Sequence, residues 1–201
     1  MSQLLGAADL DRLAALLCSG GVVAVPTDTV YGLACHPDDA AAADRILAVK
    51  RRPPRMELSL LGATAADVAR FGALEGAAAR LATAFWPGAL SLIIPASRPY
   101  HPALPRQGDT IMVRVPDHEL LRRLLARTGP VASTSANRHG LPPAATAAEA
   151  ALELGGELDA ILDGGPALGR ASTIIDCSVT PPRVLRAGPL GDPELRPYLT
   201  K

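Results

Sequence analysis

The sequence predicts a single α/β domain built on a mixed sheet, and three observations lead to this prediction. The chain has 201 residues, of which 48% are hydrophobic and 20% are charged, so it can bury one full core. Helix-like and strand-like patterns alternate along most of its length, which is typical of α/β sheets. Several strand-like patterns then follow one another near the C-terminus, which indicates both parallel and antiparallel pairs. We expect one domain over residues 1–201, with its core at about 8–190, in which helices flank a twisted sheet.

The first half of the chain begins with a helix. In residues 8–18 leucines recur at helical spacing, and two glycines follow where a helix C-cap is expected. Residues 21–26 are a β-branched apolar run that ends in proline, which is typical of a buried strand. The Ala-rich pattern at 39–50 follows Asp38, begins with an N-cap candidate and ends in basic residues, as an amphipathic helix does. The next patterns predict strands at 57–62, 89–96 and 110–116, and helices at 65–72, after Thr64 as N-cap, and at 75–86.

The second half of the chain alternates between helix and strand before the strands accumulate. Helical patterns occupy 117–128 and 146–155, and a strand-like pattern at 130–135 separates them. Three short strands are predicted after these, at 159–165, 172–177 and 183–188. The longest interruption is a proline-containing loop at 96–108.

Charge, cysteine content and hydropathy exclude several classes of protein. Lys and Arg number 20, as do Asp and Glu, and this balance is unlike that of proteins that bind nucleic acid along their length. The cysteines are far apart and odd in number, so neither a disulfide framework nor a zinc-binding pair is predicted. No apolar run approaches the roughly 20 residues of a membrane-spanning helix, and the N-terminus lacks a basic signal-peptide region. We expect a cytoplasmic protein without a membrane anchor.

Three polar stretches take the place of the common nucleotide-binding motifs. The sequence contains neither G-x-x-x-x-G-K-[ST] nor G-x-G-x-x-G. Residues 26–32 ("PTDTVYG"), 133–137 ("STSAN") and 171–176 ("ASTIID") instead follow or interrupt predicted strands. The short hydroxyl and amide side chains of any one stretch ordinarily close a turn. Three such stretches together with a basic cluster predict one ligand site near the strand ends.

The basic cluster lies after the predicted helix and contains Lys50, Arg51, Arg52 and Arg55. A helix C-terminus favours one or two cations, but this cluster is larger. Arg52 precedes two prolines and so lies on a stiffened segment, which suits a fixed anion site. Charge-assisted hydrogen bonds to a phosphate contribute about 1.5–3 kcal/mol each. We expect Lys50 and Arg52 to bind phosphate at a solvent-reachable site, with Arg51 and Arg55 as solvated neighbours.

Several motifs in a fixed order give the chain a family resemblance. They are "VVAVPTDTVYGLACHP", "LAVKRRP", "FWPGALSLII", "VRVPDH", "STSANRHGLPPA", "DGG" before "STIID", and "RAGPL". From about residue 20 to 189 the chain resembles the YrdC-like family of L-threonylcarbamoyladenylate synthases, in a short form without the extra C-terminal domain. The resemblance implies a YrdC-like fold with a basic ligand cavity. It also implies a reaction in which L-threonine, bicarbonate and ATP give threonylcarbamoyl-AMP and pyrophosphate.

The resemblance further implies partners. The product feeds the N6-threonylcarbamoyl modification of tRNA at position 37, which a separate transferase complex completes. Direct tRNA binding by this protein is therefore not required, in agreement with its balanced charge. Mg²⁺ is expected to be carried mainly by the ATP phosphates, without a protein metal site.

The resemblance also implies roles for particular residues. The family's K-x-R and S-x-N signature falls on the expected catalytic residues Lys50, Arg52, Ser135 and Asn137. By this resemblance Lys50 and Arg52 are expected to hold ATP phosphates and to offset the charge of leaving pyrophosphate without a covalent intermediate, and Ser135 and Asn137 to orient phosphate and metal-bound oxygens. ATP contacts are expected from Ser133, Ser172, Arg186 and Arg114, and amino-acid contacts from Thr29 and Tyr31.

The chain departs from the family pattern at three positions. Met56 and Glu57 replace a polar and a small residue in "PPRMEL", and Leu61 stands where some members have a His in the threonine pocket. Two further hypotheses therefore stay open: a related carbamoyl-adenylate reaction with another substrate, and a non-enzymatic RNA-binding module. Balanced charge and an aromatic content of 3%, too low for base-stacking platforms, count against the RNA-binding module.

Overall fold

The computed structural model describes residues 2–51, 58–97 and 109–199, together with the backbone of 105–106. Its fold is a mixed sheet flanked by helices, so the α/β class predicted from the sequence is confirmed. The predicted site residue Arg52 lies outside the described residues, as do Arg55, Met56 and Glu57.

The strands are short and form one sheet. In the described part of the chain they are β1 (Gln3–Leu5), β2 (Val23–Val25), β3 (Gly32–Cys35), β4 (Ser59–Leu61), β5 (Leu90–Pro95), β6 (Pro105–Arg106), β7 (Thr110–Arg114), β8 (Val131–Ser135), β9 (Ala160–Leu162), β10 (Thr173–Asp176) and β11 (Arg183–Arg186). Their order in the sheet is β1-β9-β2-β3-β8-β4-β7-β5-β10-β11, and β6 pairs with β7. β9 is parallel to β1 and β2, β4 to β7, and β5 to β10, whereas the other pairs are antiparallel.

The helices begin mostly at polar capping residues. They are α1 (Leu10–Cys18), α2 (Ala40–Val49), α3 (Ala65–Ala69), α4 (Gly76–Phe85), α5 (Glu119–Thr128), α6 (Ala147–Leu154) and α7 (Asp192–Leu199), and a short 3-10 turn precedes α1. The side chains of Asp39, Thr64, His118 and Thr146 accept hydrogen bonds from backbone N–H groups in the first turns of α2, α3, α5 and α6. These N–H groups have no partner within the helix, so the caps fix where each helix starts.

The strands direct alternate side chains to two cores on opposite faces of the sheet. In β2, Val23 and Val25 belong to a core formed with leucines of α1 and α5. Ala24, between them, belongs to the larger core that contains residues of α2, α3, α4, α6 and α7. The core under α1 and α5 takes in residues of β1, β9, β2 and β3 but only Leu61 of β4 and Val131 of β8. These helices therefore cover only part of their face of the sheet.

Four elements of the fold, β1, β3, β6 and α7, are not predicted by the sequence patterns, and β6 lies within residues 96–108, where the sequence predicts a loop. β1 adds an edge strand parallel to β9, and β3 begins at the last residue of the "PTDTVYG" stretch. Helix α7 packs on α4, where the rings of Phe85 and Tyr198 make an edge-to-face contact with centroids 5.3 Å apart. Among the described residues no helix is long and apolar enough to cross a membrane.

Candidate active site

A cavity of about 590 Å³ opens on the face of the sheet that α1 and α5 leave partly uncovered. Side chains at alternate positions of the strands form the floor of the cavity. Ser59, Met112 and Arg114 project into it, whereas their neighbours Leu60 and Val113 lie in the larger core on the opposite face. Polar residues within otherwise apolar strands therefore mark the floor of the cavity.

Most of the predicted site residues line this cavity. They are Thr29, Tyr31, Arg114, Ser133, Ser135, Ser172 and Arg186. All three polar stretches of the sequence contribute to it. Arg114 and Arg186 are the charged side chains among the described lining residues, so the cavity favours an anionic ligand.

The stretch that follows β2 is held as a tight turn by Thr27. Its Oγ1 accepts hydrogen bonds from the backbone N–H groups of Thr29 and Val30, both at 3.1 Å, and donates to the carbonyl of Val30 at 2.6 Å. The hydroxyls of Thr27 and Thr29 lie 2.9 Å apart. Thr27 and Thr29 are buried, and this turn fixes the Thr29 hydroxyl toward Arg114.

Arg114 is a buried guanidinium with three partners. Its Nη1 donates to Thr29 Oγ1 at 2.8 Å, its Nε to the carbonyl of Gly88 at 3.0 Å, and its Nη2 to Asp28 Oδ1 at 2.5 Å. Burial lowers the pKa of Arg114, and the neighbouring Asp28 charge opposes that shift. The same Asp28 oxygen accepts from the backbone N–H of Asp117 at 3.2 Å. Arg114 is thus held in one orientation at the cavity floor.

Arg186 supplies the second charge from the end of β11. It is exposed, and it donates through Nε to the carbonyl of Ser172 at 2.9 Å and through Nη2 to Ser172 Oγ at 3.2 Å. Ser172 Oγ lies 2.8 Å from Ser91 Oγ on the neighbouring strand. Partial burial, and then the charge of Arg114, lower the pKa of Arg186. Asp28 offsets the charge of Arg114, so Arg186 supplies most of the positive charge that attracts an anion to the cavity.

Tyr31 forms part of the wall and is rigidly held. It is fully buried, and its hydroxyl donates to the carbonyl of Gly165 at 2.9 Å and accepts from the N–H of Gly164 at 3.4 Å. Burial raises the pKa of Tyr31, so the hydroxyl stays neutral near pH 7. Its role in the wall is therefore shape and hydrogen bonding.

Lys50 and Asn137 lie beside the cavity, behind Ser135, and do not line it. Lys50 Nζ donates to the carbonyl of Ser135, to the carbonyl of Asn137 at 2.9 Å and to Asn137 Oδ1 at 3.0 Å. Ser135 Oγ donates to the same Oδ1 at 2.6 Å. Lys50 is 1% exposed, so the prediction that it is solvent-reachable was wrong. Its ammonium instead folds back onto carbonyls at the end of β8.

Several residues of the site were not predicted from the sequence. Ser59 and Ser91 lie within apolar strands, and a lone serine in such a strand is the signal that would have indicated a cavity-facing position. Leu61, whose position the family resemblance already places at the threonine pocket, lines the cavity and pairs with Arg114 across β4 and β7. Asp28 had no role assigned, although it is the acidic partner of Arg114.

The arrangement suits binding and electrostatic stabilisation more than covalent catalysis. Hydroxyl groups and guanidiniums bind phosphate or carboxylate oxygens, and a buried, prearranged set loses little entropy on binding. The thiol of Cys177 is not suited to attack a substrate, because burial raises its pKa to about 12. Within the described residues no group of three or more His, Cys, Asp or Glu side chains could hold a metal ion.

The fold and the site define the class of this protein: an α/β protein with a ligand cavity on the partly open face of a mixed sheet. The family model Sua5_yciO_yrdC, described as "Telomere recombination", matches residues 15–188. The chain belongs to this Sua5/YciO/YrdC family.

Relatives and solved structures agree with that membership. The chain is 41% identical over 177 residues to a threonylcarbamoyl-AMP synthase of Chromohalobacter salexigens, covering 83% of this chain and 92% of the relative. It is 37% identical over 180 residues to a putative threonylcarbamoyl-AMP synthase of Mycobacterium tuberculosis, covering 86% and 80%. Pyrococcus abyssi Sua5, solved in complex with L-threonine, superposes with a TM-score of 0.91 at 32% identity. That match covers 98% of this chain, which spans 60% of the length of the Pyrococcus chain.

Proposed function

We propose that the protein joins L-threonine, bicarbonate and ATP to form L-threonylcarbamoyl-AMP and releases pyrophosphate. The observation that carries the proposal is the meeting of three polar stretches and two arginines in one cavity. Relatives of the chain named threonylcarbamoyl-AMP synthases support the reaction. The related Sua5 structure with bound L-threonine supports the identity of the amino acid.

The charged and hydroxyl groups of the cavity receive the nucleotide in this proposal. Arg114 and Arg186 offset the negative charge of ATP, and the hydroxyls of Ser133 and Ser172 bind its phosphate or ribose oxygens. Thr29 and Tyr31 form the wall of the amino-acid pocket. The residues are buried or tied by hydrogen bonds, so they hold the ligand without large rearrangement.

Lys50, Arg52, Ser135 and Asn137 form the catalytic set in this proposal. Lys50 holds Asn137 and the end of β8, and its positive charge lies beside the cavity wall at Ser135. Arg52 follows two residues later in the chain and adds a second cation. Positive charge near the leaving pyrophosphate lowers the barrier, because charge builds up there in the transition state.

The chemistry needs no covalent enzyme intermediate. The amine of threonine attacks bicarbonate, with loss of water, or attacks the carbon dioxide formed from bicarbonate, with loss of a proton; either route gives a carbamate. A carbamate oxygen then attacks the α-phosphorus of ATP, and the bond to the β-phosphate oxygen breaks to release pyrophosphate. The protein contributes positioning and charge neutralisation, which account for most of the catalysis in phosphoryl-type transfers. Mg²⁺ enters with the phosphates of ATP.

The proposed product, threonylcarbamoyl-AMP, implies a second enzyme that consumes it. We propose that a tRNA threonylcarbamoyl transferase complex consumes threonylcarbamoyl-AMP in the cytoplasm and that this chain does not itself need to bind tRNA. We also propose that residues 1–201 act as one domain, with a core at about 8–190. The balanced charge of the chain supports the proposal that it does not need to bind tRNA, because a tRNA-binding surface is usually basic.

Leu61 favours a second candidate, a carbamoyl-adenylate reaction with another amino acid. Its side chain lines the cavity next to Arg114, where it offers an apolar contact. A ligand with a larger aliphatic side chain gains buried apolar area at such a wall, worth about 0.8 kcal/mol per methylene. The amino acid is therefore the component of the reaction that most needs a direct test.

The test is pyrophosphate release from ATP with bicarbonate and Mg²⁺, measured with a panel of single amino acids. The proposal predicts release that requires an amino acid and is fastest with L-threonine. Faster release with valine, leucine or isoleucine would select the second candidate. Release that needs no amino acid, or no release together with RNA binding that weakens steeply with salt, would contradict both.

A further inference from the structure

We propose that Arg138 is a positioning residue that fixes Lys50 beside the cavity, and that the proposed synthase reaction depends on this contact. The inference rests on the proposed function, because it concerns the residue expected to act on the phosphates. Arg138 follows the "STSAN" stretch directly and is absent from the cavity lining. Any effect it has on turnover must therefore pass through other residues.

Arg138 caps the helix that ends just before Lys50. Its Nη1 donates to the carbonyl of Val49 at 3.1 Å, and Val49 is the last residue of α2. Carbonyls in the last turn of a helix lack helical partners, so an arginine there both satisfies the carbonyl and interacts favourably with the helix dipole. One residue later, the N–H of His139 donates to the carbonyl of Lys50 at 2.8 Å. Two successive residues thus hold the backbone on both sides of the Lys50 Cα atom.

Arg138 is in turn anchored on α6. Its backbone N–H donates to Glu153 Oε1 at 2.7 Å, and its Nη2 donates to the carbonyl of Glu153 at 3.3 Å. The same Nη2 forms an ion pair with Glu157 Oε1 at 2.5 Å. The Arg138 side chain is 22% exposed, so water screens these contacts only in part. Helix α6 and the end of α2 are therefore joined through one guanidinium.

The segment that contains Arg138 also carries the acceptors of the Lys50 ammonium. Asn137 accepts from Lys50 through both its carbonyl and its side chain, and Asn137 Nδ2 donates to the carbonyl of Arg138 at 2.9 Å. Arg138 thus links the backbone next to Lys50 to Asn137, which accepts hydrogen bonds from the Lys50 ammonium. Loss of the guanidinium frees the end of α2 relative to β8, and a displacement of about 1 Å in a catalytic group lowers rates by up to about 100-fold.

A matched control lies on the same helix. Arg45, also on α2, pairs with Asp159 at 3.0 Å and donates to the carbonyl of Gly20, and neither contact involves Lys50 or Arg138. Arg45→Gln removes an arginine, an ion pair and a carbonyl contact from α2 without touching the end of the helix. Arg45→Gln therefore shows how the loss of an arginine and its contacts on α2 affects stability when the end of the helix is intact.

The experiment compares Arg138→Gln, Arg138→Lys and Arg45→Gln with the wild-type protein. We expect Arg138→Gln to lower kcat by about tenfold or more while the KM for threonine changes less than about twofold, since only the phosphate side is displaced. Hydrogen exchange at the His139 amide should accelerate in the same variant, because its acceptor on Lys50 becomes mobile. Arg138→Lys should restore part of kcat, since lysine keeps the charge but cannot bridge the same set of acceptors. Arg45→Gln should leave both kcat and this exchange rate unchanged.

Each outcome bears on the inference. A wild-type kcat in Arg138→Gln overturns it, as does a lowered kcat without faster exchange at His139 or an equal loss of kcat in Arg45→Gln. If Arg138→Gln does not fold, Arg138→Lys takes its place, because lysine keeps the charge but cannot bridge the same acceptors, and a wild-type kcat in Arg138→Lys then overturns the inference. If the wild-type protein forms no adenylate, the proposed function fails. The inference is then decided by ATP affinity from calorimetry, which Arg138→Gln must weaken while Arg45→Gln does not.

Discussion

Replacing Arg114 by methionine should destabilise the protein strongly, because its guanidinium is buried and hydrogen-bonded to three residues. The change removes three hydrogen bonds, to Thr29, Gly88 and Asp28. It leaves the Asp28 carboxylate, 14% exposed, with only the backbone N–H of Asp117 among the partners seen here. Breaking one half of a buried ion pair costs about 3–5 kcal/mol. For a chain of this size that corresponds to a drop in melting temperature of roughly 6–20 °C.

The assay is thermal unfolding of Arg114→Met beside Arg186→Met and a double variant. Arg186 lines the same cavity but is exposed, so its replacement should cost about 1 kcal/mol at most, or roughly 4 °C. Adding Asp28→Asn to Arg114→Met removes the stranded charge and should recover at least about 1 kcal/mol. A loss below about 4 °C for Arg114→Met, an equal loss for Arg186→Met, or no recovery in the double variant would refute this reasoning.

Three further predictions follow from the same structure. A Cβ at Gly32 would lie 2.7 Å from Ser133 Oγ, so Gly32→Ala should lower the free energy of unfolding by about 1–3 kcal/mol, as measured by chemical denaturation. The loss should be smaller in a Ser133→Ala background, and equal losses in both backgrounds would contradict the contact. Burial lowers the pKa of His118 from its ordinary 6.5, so the unfolded chain takes up the proton first and stability falls as pH drops below that value. In His118→Asn, which keeps a capping acceptor, stability should fall less between pH 6.5 and about 5 than in the wild-type protein. The same pH profile in both proteins would contradict the assignment of this loss to His118. Because burial raises the pKa of Cys177 to about 12, iodoacetamide at about pH 8 should alkylate the exposed Cys18 first, as mass spectrometry of digests would show.

The sequence predicts most of the sheet because its strands carry strong local signals. The run before Pro26 and the "ALSLIIPA" run are apolar and bounded by turn residues, and both are strands in the structure. β1 reads "QLL", without β-branched residues, and it is stabilised by pairing with β9. β3 reads "GLAC", without β-branched residues, so its local pattern does not indicate a strand. Helix α7 contains Pro197, which disfavours a helix locally, yet Leu195 is buried in the core.

The site was predictable in its residue types but not in its geometry. Short polar side chains after strands indicate a ligand site, since backbone alternation and strand ends are local properties. The direction of a long side chain is decided by tertiary partners. Nothing local in "AVKRRP" indicates that the ammonium of Lys50 turns onto the carbonyls of Ser135 and Asn137, which are far away in the chain. The pairing of Arg114 with Asp28 is likewise long-range.

The most direct test of the central claim is to follow the carbon of bicarbonate into the product. The protein is incubated with ATP, Mg²⁺, L-threonine and bicarbonate that carries a heavy carbon isotope, and the adenylate is weighed by mass spectrometry. The account predicts threonylcarbamoyl-AMP that contains one labelled carbon, together with an equal amount of pyrophosphate. An adenylate without the label, or pyrophosphate release that does not require threonine, would contradict it.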